Sequence, residues 1–599
     1  MKKTLLTALL LTIALGLSAQ GEKVVFSAPG GFYENGFPLG LDCLYANHYI
    51  TYTTNGATPT AGSTRYSEPL TLGEDLFSNS DIFTIVNCIP STYHRTEEVQ
   101  KAIVIRAAVF DENDSCVSPI ATNSYFIRSL GCDFHGMPVV SIVTDSLSLF
   151  DYETGIFIPG IHYDPSDSTH TGNYCERGRE WERLVNLEFY EPDNTGINQL
   201  CGLRTHGGAS RWYQQKGLRF FAREEYGKKR FKHPFFESTS ITSFKRLNLH
   251  PFRCSNWLQT GGQEYLAQTV AADLDIESLA VRQTVVFING EYWGIYTLEE
   301  SPDERYLEDH YDVDLEKVNI IKYWGVTEHG SGTDWWGVKT WLAEADLSQP
   351  GDSAYAFSRI DVGNFIDYVL LETYSANLDW PQNNTLQWQF ENGTPFRWIF
   401  YDGDGCFTRP EYDAFAHATD AGGNSTVLKS FLKSKYFREL FYQRYIQLIE
   451  SSFSVSFLRS VMDRYRQIVG GEIARQSERF GFPTSLSRWN DDMEKAEVFF
   501  RTRNSYFQQE IKPFISVEDT LLASFVCAPN PSNGEFRIML QSNDNRITAL
   551  EIFDLMGRCV YHEELYVMAA ENSFSVSTQL AAGMYLVKVG DQTQRLVIY

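Results

Sequence analysis

Long apolar runs are missing from this chain. Beyond the first twenty residues no segment approaches the roughly eighteen uninterrupted apolar residues of a membrane span, so no integral membrane segment is expected. Cysteines at metal or redox spacing are missing too. The ten present (43, 88, 116, 132, 175, 201, 254, 406, 527, 559) form no C-x-x-C pair, which excludes zinc-ribbon and thioredoxin-type sites. Basic charge is short: 51 Lys and Arg stand against 76 Asp and Glu, a net charge of −25, which argues against a general nucleic-acid binder. A disordered tether is excluded by what is abundant, since 43% hydrophobic and 14% aromatic residues suffice for packed cores.

What is there begins with an address. Lys2 and Lys3 precede the apolar run Leu5–Leu17, and Leu17-Ser18-Ala19 ends in small residues suited to cleavage. Residues 1–19 are therefore expected to be a signal peptide, with Gln20 the first mature residue. Export permits disulfides, and Cys43, Cys88, Cys116 and Cys132 are candidates to pair within the first domain; several other cysteines are expected as buried thiols. The remaining ~580 residues exceed one core, so three or four domains are expected.

Residues 21–130 read as β. Tyr49–Thr53 alternates, Asn55-Gly56 marks a tight turn, and Ala102–Phe110 is a further strand. From Met137 to Ile515 the pattern is mixed. Strands are expected at 137–144, 184–192, 201–208, 217–225 and 244–250, and a helix at 261–274. Then comes a hairpin turning at Asn289-Gly290, and a helical half follows Asp404. Residues 520–599 return to period-two strands cut by Pro529, Pro531, Asn533-Gly534, Met556-Gly557 and Ala582-Gly583, and end flush at Tyr599.

Two features carry chemistry. Asn377–Phe407 sets Asp379 five residues ahead of Asn384, and an aromatic strand then delivers Asp402 and Asp404. One carboxylate to orient a hydroxyl, with an amide oxygen and further carboxylates for Mg²⁺, is what a phosphoryl-transfer site needs. Asp and Asn are also common turn residues. The second feature is residues 201–256, with twelve Lys or Arg against Glu224, Glu225 and Glu237. That local excess suggests a polyanion site, polyphosphate being the natural candidate, or a basic outer face that touches lipopolysaccharide or the chain's own acidic helices. Within it Arg204, Gly207, Gly208 and Ser210 sit at a turn between strands, where small residues admit backbone approach to phosphate oxygens. A bland tight turn explains the glycines equally well.

Three resemblances organise these observations. ITYTTNGATPTAGSTRYSEPL (50–70) is similar to the small immunoglobulin-like sandwich appended to chitobiases, a spacer rather than a catalyst. Ala528-Pro-Asn-Pro, Ile552-Phe-Asp-x-Met-Gly-Arg and Leu580-x-x-Gly583-x-Tyr585 resemble the C-terminal sorting domain of the type IX secretion pathway of Bacteroidota. The type IX machinery is then a partner, and the location is the outer-membrane surface or the medium. MPVVSIVTD (137–145), GNYCERGREWERLVNLEFYE (172–191), GLRTHGGASR and YQQKGLRFFAREEYG (202–227), FINGEYWGIYTLEE (287–300), NLDWPQNNTLQW (377–388) and RWIFYDGDGCF (397–407) resemble the CotH family. The resemblance implies an atypical, bilobal protein-kinase-like fold over 137–515, flanked by two β-sandwiches. It also implies ATP with Mg²⁺ (or Mn²⁺) as cofactors and Ser phosphorylation of a partner protein.

Carried over, Asp379 takes the catalytic position and Asn384, Asp402 and Asp404 the metal positions. Lys245, or else Lys216, is expected to hold phosphates, with Arg204, Gly207, Gly208 and Ser210 beside it. Glu264 would pair with that lysine, and the backbone of Glu299 and Glu300 would meet adenine. The chain departs from the family's Trp-Asp-x-Asp-Phe, reading Tyr401-Asp402-Gly403-Asp404-Gly405, two glycines that suggest a loosened loop or a Ca²⁺-type turn. Extracellular ATP is also scarce. An exported kinase is the leading reading; a non-catalytic adhesion or matrix protein and a carbohydrate-binding protein are the alternatives.

Overall fold

The computed structural model describes residues 22–515 and 525–598, apart from 89–92, 94, 96, 254–257, 324, 529, 531, 542–545, 555–556, 569–570 and 591. The expected signal peptide, Gln20, Cys254, Pro529, Pro531, Met556 and Tyr599 lie outside the described residues. The chain divides into two units, Met1–Ser430 with Arg444–Phe507, and Phe431–Gln443 with Gln508–Tyr599.

The first unit centres on a closed seven-stranded barrel. Its strands are β1 (Val139–Val143), β2 (Arg183–Tyr190), β3 (Gly196–His206), β4 (Gly217–Phe221), β5 (Arg246–Pro251), β6 (Val281–Ile288) and β7 (Glu291–Glu300). Their order around the barrel is β1-β2-β3-β4-β5-β7-β6, and only the closing β1–β6 pair is parallel. Period two explains the layering. Ile142, Leu187, Leu203, Leu218, Phe220, Leu247, Leu249, Ile288 and Leu298 point one way and form one buried apolar cluster. The alternate residues point outward: Arg204, Arg219, Asn248 and Glu299 are cross-strand neighbours in a row over β3, β4, β5 and β7.

Residues 22–130 form a five-stranded sheet whose members include the expected Tyr49–Thr53 and Ile103–Phe110, packed over Ile50, Leu72, Ile105 and Val109. This module is fastened to the barrel rather than tethered to it. Ser124 donates its backbone N–H to Glu188 on β2 at 3.0 Å, and Glu291 on β7 accepts from the N–H groups of Ile82 and Phe83, each at 2.8 Å. The Asn289-Gly290 turn, legible as an ordinary hairpin tip, is thereby buried. Asn289 is fully covered, its carbonyl taken by the Ser78 hydroxyl at 2.6 Å. The pairing expected among the first four cysteines is not made, because Cys43, Cys116 and Cys132 are free thiols.

Helix α1 (Gln263–Ala271) is inserted between β5 and β6, and α2 (Glu304–Tyr311) follows the barrel. A four-stranded sheet follows, ordered β9-β8-β10-β11, from β8 (Asn319–Lys322), β9 (Val326–His329), β10 (Leu386–Gln389) and β11 (Arg397–Trp398). Helices α3 (Thr333–Glu344), α4 (Pro350–Arg359) and α5 (Val362–Tyr374) lie between β9 and β10. Asp361 caps α5 by accepting from the Asn364 N–H, and the helix is buried along nearly its whole length. No helix among the described residues is long and apolar enough to cross a membrane.

The second unit contains a three-stranded and a four-stranded antiparallel sheet. Ile538, Leu550, Ile552, Val587 and Leu596 lie in its core.

Candidate functional site

Two loops build the site. The first follows α5, whose end is gripped by Arg503: this fully buried guanidinium donates to the carbonyls of Thr373 (2.6 Å), Tyr374 (2.8 Å) and Pro410 (2.8 Å). Asn377 then donates to Glu372 at 2.8 Å and accepts the Asp379 N–H at 3.1 Å. Asp379 is in turn held by the side-chain amides of Asn383 (2.8 Å) and Asn384 (3.2 Å). Burial raises the Asp379 carboxyl above the ordinary carboxylate range, and Asp402 adds to the shift.

The second loop follows β11. Asp402 adopts a left-handed backbone (φ 61°), and its carbonyl accepts from Asn384 Nδ2 at 3.4 Å. The Asn384 amide therefore lies between Asp379 and Asp402. The two glycines explain how the loops approach so closely. A Cβ on Gly403 would stand 2.6 Å from that of Ala267 on α1, and one on Gly405 would stand 2.7 Å from Asn377 Oδ1. Gly403 donates its N–H to Glu264 on α1 at 2.5 Å. The glycines are thus not a loosened loop but the places where it is clamped on both sides.

The outer face of the barrel supplies the third wall. Parity on β5 puts Arg246, Asn248 and His250 on one side. His250 Nε2 stands 3.6 Å from Asp402 Oδ1, and its donor atoms with those of Asp402 and Asp404 all lie within 4.8 Å of one another. Burial alone would pull the His250 imidazolium down. The carboxylates of Asp402, Glu299, Glu264 and Asp404 together outweigh it and push it up to about 10. Burial and then Asp402 raise Asp404 well above its usual range. Glu264 is raised by burial and Asp402, with His250 opposing. Burial lifts Glu299 to about 8, and the neighbouring carboxylates of Glu264 and Asp402 contribute. Such mutual elevation is the signature of carboxylates crowded round a place suited to a cation.

The cations expected at the site largely lie elsewhere. Lys216 is fully buried and donates to the carbonyls of Asn87 (2.8 Å), Tyr213 (2.9 Å) and Arg211 (3.0 Å), so its three donors are spent. Lys245 precedes β5, five residues or about 16 Å of strand from His250, beside Arg305 and Arg230. Arg204 donates to the Gly178 carbonyl at 3.0 Å and stacks on Phe221. Ser210 donates to the His206 carbonyl at 3.2 Å, while Gly208 faces open space. Much of the basic segment meets the chain's own acids instead. Arg223 is bidentate to Glu182 (2.7 and 2.8 Å), and Arg246 pairs with Asp303 at 2.7 Å and Glu304 at 2.9 Å.

Glu300 accepts from His310 at 2.9 Å and from the Ala280 N–H, also at 2.9 Å. Glu299 lies inside β7 with β5 and β6 on either side, and Glu300 is the strand's last residue, paired with Leu247 of β5, so the Glu299 backbone expected to meet adenine is strand interior. It is the Glu299 side chain that reaches the site. Two cationic groups escaped the motif reading. One is His250, which parity along LNLH could have flagged. The other is Lys322 at the end of β8, lowered by burial and facing Glu328, Arg219 and Asp402. Arg219, one of the twelve basic residues of 201–256, is held by Asn248 Oδ1 at 2.8 Å and by His206 at 3.1 Å.

A family model for CotH kinase protein matches residues 203–507, about half the chain, and takes in both site loops, α1 and β4–β7. The chain belongs to the CotH kinase protein family. The CotH match begins inside β3, whereas the barrel it enters starts at Val139. A secretion system C-terminal sorting domain matches residues 527–598 and a chitobiase/beta-hexosaminidase C-terminal domain residues 28–77. The molecule is thus a mixed α/β multidomain protein, a kinase-like CotH domain with β-rich ends. The type IX sorting domain makes it an exported protein, at the outer-membrane surface or secreted, with the secretion machinery as partner. Among solved structures, the Helicobacter pylori proinflammatory kinase CtkA is similar over 53% of this chain and 95% of its own, at 10% identity and a TM-score of 0.22. No curated protein matches the chain.

Proposed function

We propose that this CotH-family protein is an exported kinase that moves the γ-phosphoryl group of ATP to a Ser hydroxyl of another protein. One observation carries the reading: the Asn384 amide lies between the Asp379 carboxylate and the Asp402 carbonyl, with Asp404, Glu264, Glu299 and His250 around them. In this reading the barrel and the α5-centred half are the two lobes.

The donor set fits a divalent cation. Asn384 spends its Nδ2 on Asp379 and Asp402 and leaves Oδ1 for a metal, beside the Asp402 and Asp404 carboxylates. Mg²⁺ or Mn²⁺ there supplies the charge neutralisation that phosphoryl transfer requires. Asp379, restrained by two amides and half desolvated, accepts the Ser hydroxyl and takes its proton. Arg219 and Lys322 replace Lys216 and Lys245 as the cations offered to phosphate oxygens.

The test is transfer of ³²P from ATP to a serine-rich acceptor by the full chain. Asp402→Ala is expected to lower the rate on the order of 10³-fold, and Asp379→Asn similarly, with melting temperatures kept. Unchanged incorporation in both variants, or none in the parent protein, overturns the proposal.

A further inference from the structure

Strand β5 brings a nitrogen donor to a site otherwise made of oxygens. We infer that His250 is itself a metal ligand, completing a centre with Asp402 and Asp404 that takes a nitrogen-accepting first-row ion such as Mn²⁺ in preference to Mg²⁺.

The distances leave an ion-pair separation that a shared ion can bridge. At 3.6 Å, His250 Nε2 and Asp402 Oδ1 are too far apart for a hydrogen bond. Two donors bonded at about 2.1 Å to one ion stand roughly 3 to 4 Å apart, and the three donor atoms of His250, Asp402 and Asp404 are mutually within 4.8 Å. Two further groups are open to an ion. Among the described residues no hydrogen bond reaches the Asp404 carboxylate. Asn384, 95% buried, uses its amide N–H groups on Asp379 and Asp402, and among the described residues no hydrogen bond reaches its Oδ1. The set is then one imidazole, two carboxylates and one amide oxygen, and the arriving dication displaces the His250 proton to solvent.

Donor chemistry selects the ion. Mg²⁺ is a hard cation that keeps oxygen ligands and water in near-ideal octahedra. Imidazole is a ligand of first-row ions, and among these Mn²⁺ is the one that also suits carboxylate and carbonyl oxygens. The backbone holds the imidazole in place: β5 is paired with β4 on one side and with β7 on the other, where His250 faces Thr297. The identity of the ion rests on the proposed phosphoryl-transfer site only for its use, and its binding is tested without nucleotide.

The experiment is electron spin-echo modulation on the full chain loaded with Mn²⁺ alone, with Mg²⁺ competition on the same samples. The expected result is ¹⁴N modulation from one directly bound imidazole, and Mn²⁺ held at least tenfold tighter than Mg²⁺. In His250→Ala and in the bulkier His250→Gln the modulation should vanish and the preference fall about tenfold or more. Asp402→Ala should release the ion. No ¹⁴N signal in the parent protein, or a signal and preference unchanged in both His250 variants, overturns the inference. A protein that transfers phosphate with Mg²⁺ yet shows no nitrogen signal would sink this inference and leave the kinase proposal standing. Nitrogen-bound Mn²⁺ in a protein that moves no phosphate would do the reverse.

Discussion

Gly403 donates its backbone N–H to the Glu264 carboxylate at 2.5 Å, which fastens the Asp402 turn to helix α1. The same carboxylate accepts from Gln268 at 2.9 Å, so Glu264 is fixed on its own helix before it grips the loop. Glu264 was legible as an ion-pair partner for a strand lysine; its observed partner is instead a backbone amide.

That contact gives the first prediction. Glu264→Ala should free the Asp402 turn and lower phosphate transfer about 10²-fold through misplacement. Glu264→Gln keeps an acceptor for Gly403 and should lose less. Steady-state rates of the two variants check this; equal losses would show that charge, not anchoring, is what Glu264 supplies.

Gly405 offers a steric test. A methyl group there would meet Asn377 Oδ1 at 2.7 Å and the Leu378 nitrogen at 3.3 Å. Gly405→Ala should cost about 1–3 kcal/mol of stability and spread the Asp379 and Asp402 loops. Urea unfolding beside ligand titration would show both effects, and a variant as stable and active as the parent would contradict the clamped geometry.

Lys216 separates structure from binding. Its ammonium serves three backbone carbonyls, so Lys216→Met should leave them unpaired and destabilise the fold by several kcal/mol. Nucleotide affinity of the folded fraction should stay unchanged. A calorimetric loss of affinity with stability intact would return Lys216 to the phosphate site.

The strands and the acidic loop were legible for a common physical reason: both depend on local pattern. Alternation of apolar residues set Leu247 and Leu249 inward, and Asp-x₄-Asn with a strand-borne Asp is a local spacing. The cations were not legible, because a lysine's partner is decided by long-range packing. Arg246 finds Asp303, and Arg223 finds Glu182, forty-one residues upstream. Local charge density could not anticipate that these acids neutralise it. The role of the N-terminal module was hidden likewise, since nothing in Asn289-Gly290 announces that another sheet covers the turn.

Glu188 gives a pH prediction at that junction. Burial pushes its carboxyl from 4.5 up to about 7, although the Ser124 and Tyr190 hydroxyls pull it down. A folded value above the unfolded one means its contribution is complete below about pH 4.5 and is lost as pH rises through 7. The loss is about 3 kcal/mol. Glu188→Gln should remove that decline, so the variant's stability advantage over the parent should grow between pH 5 and 8. Denaturant midpoints at several pH values decide it, and parallel pH profiles would show that Glu188 does not titrate there.

The most direct test of the central claim is calorimetric titration of the full chain with ATP and Mn²⁺ or Mg²⁺, comparing the parent protein with Asp402→Ala. Saturable binding in the parent, weakened at least a hundredfold in a variant that melts at the same temperature, is the expected result. Identical heats from both proteins would contradict a nucleotide–metal site at Asp379, Asn384 and Asp402.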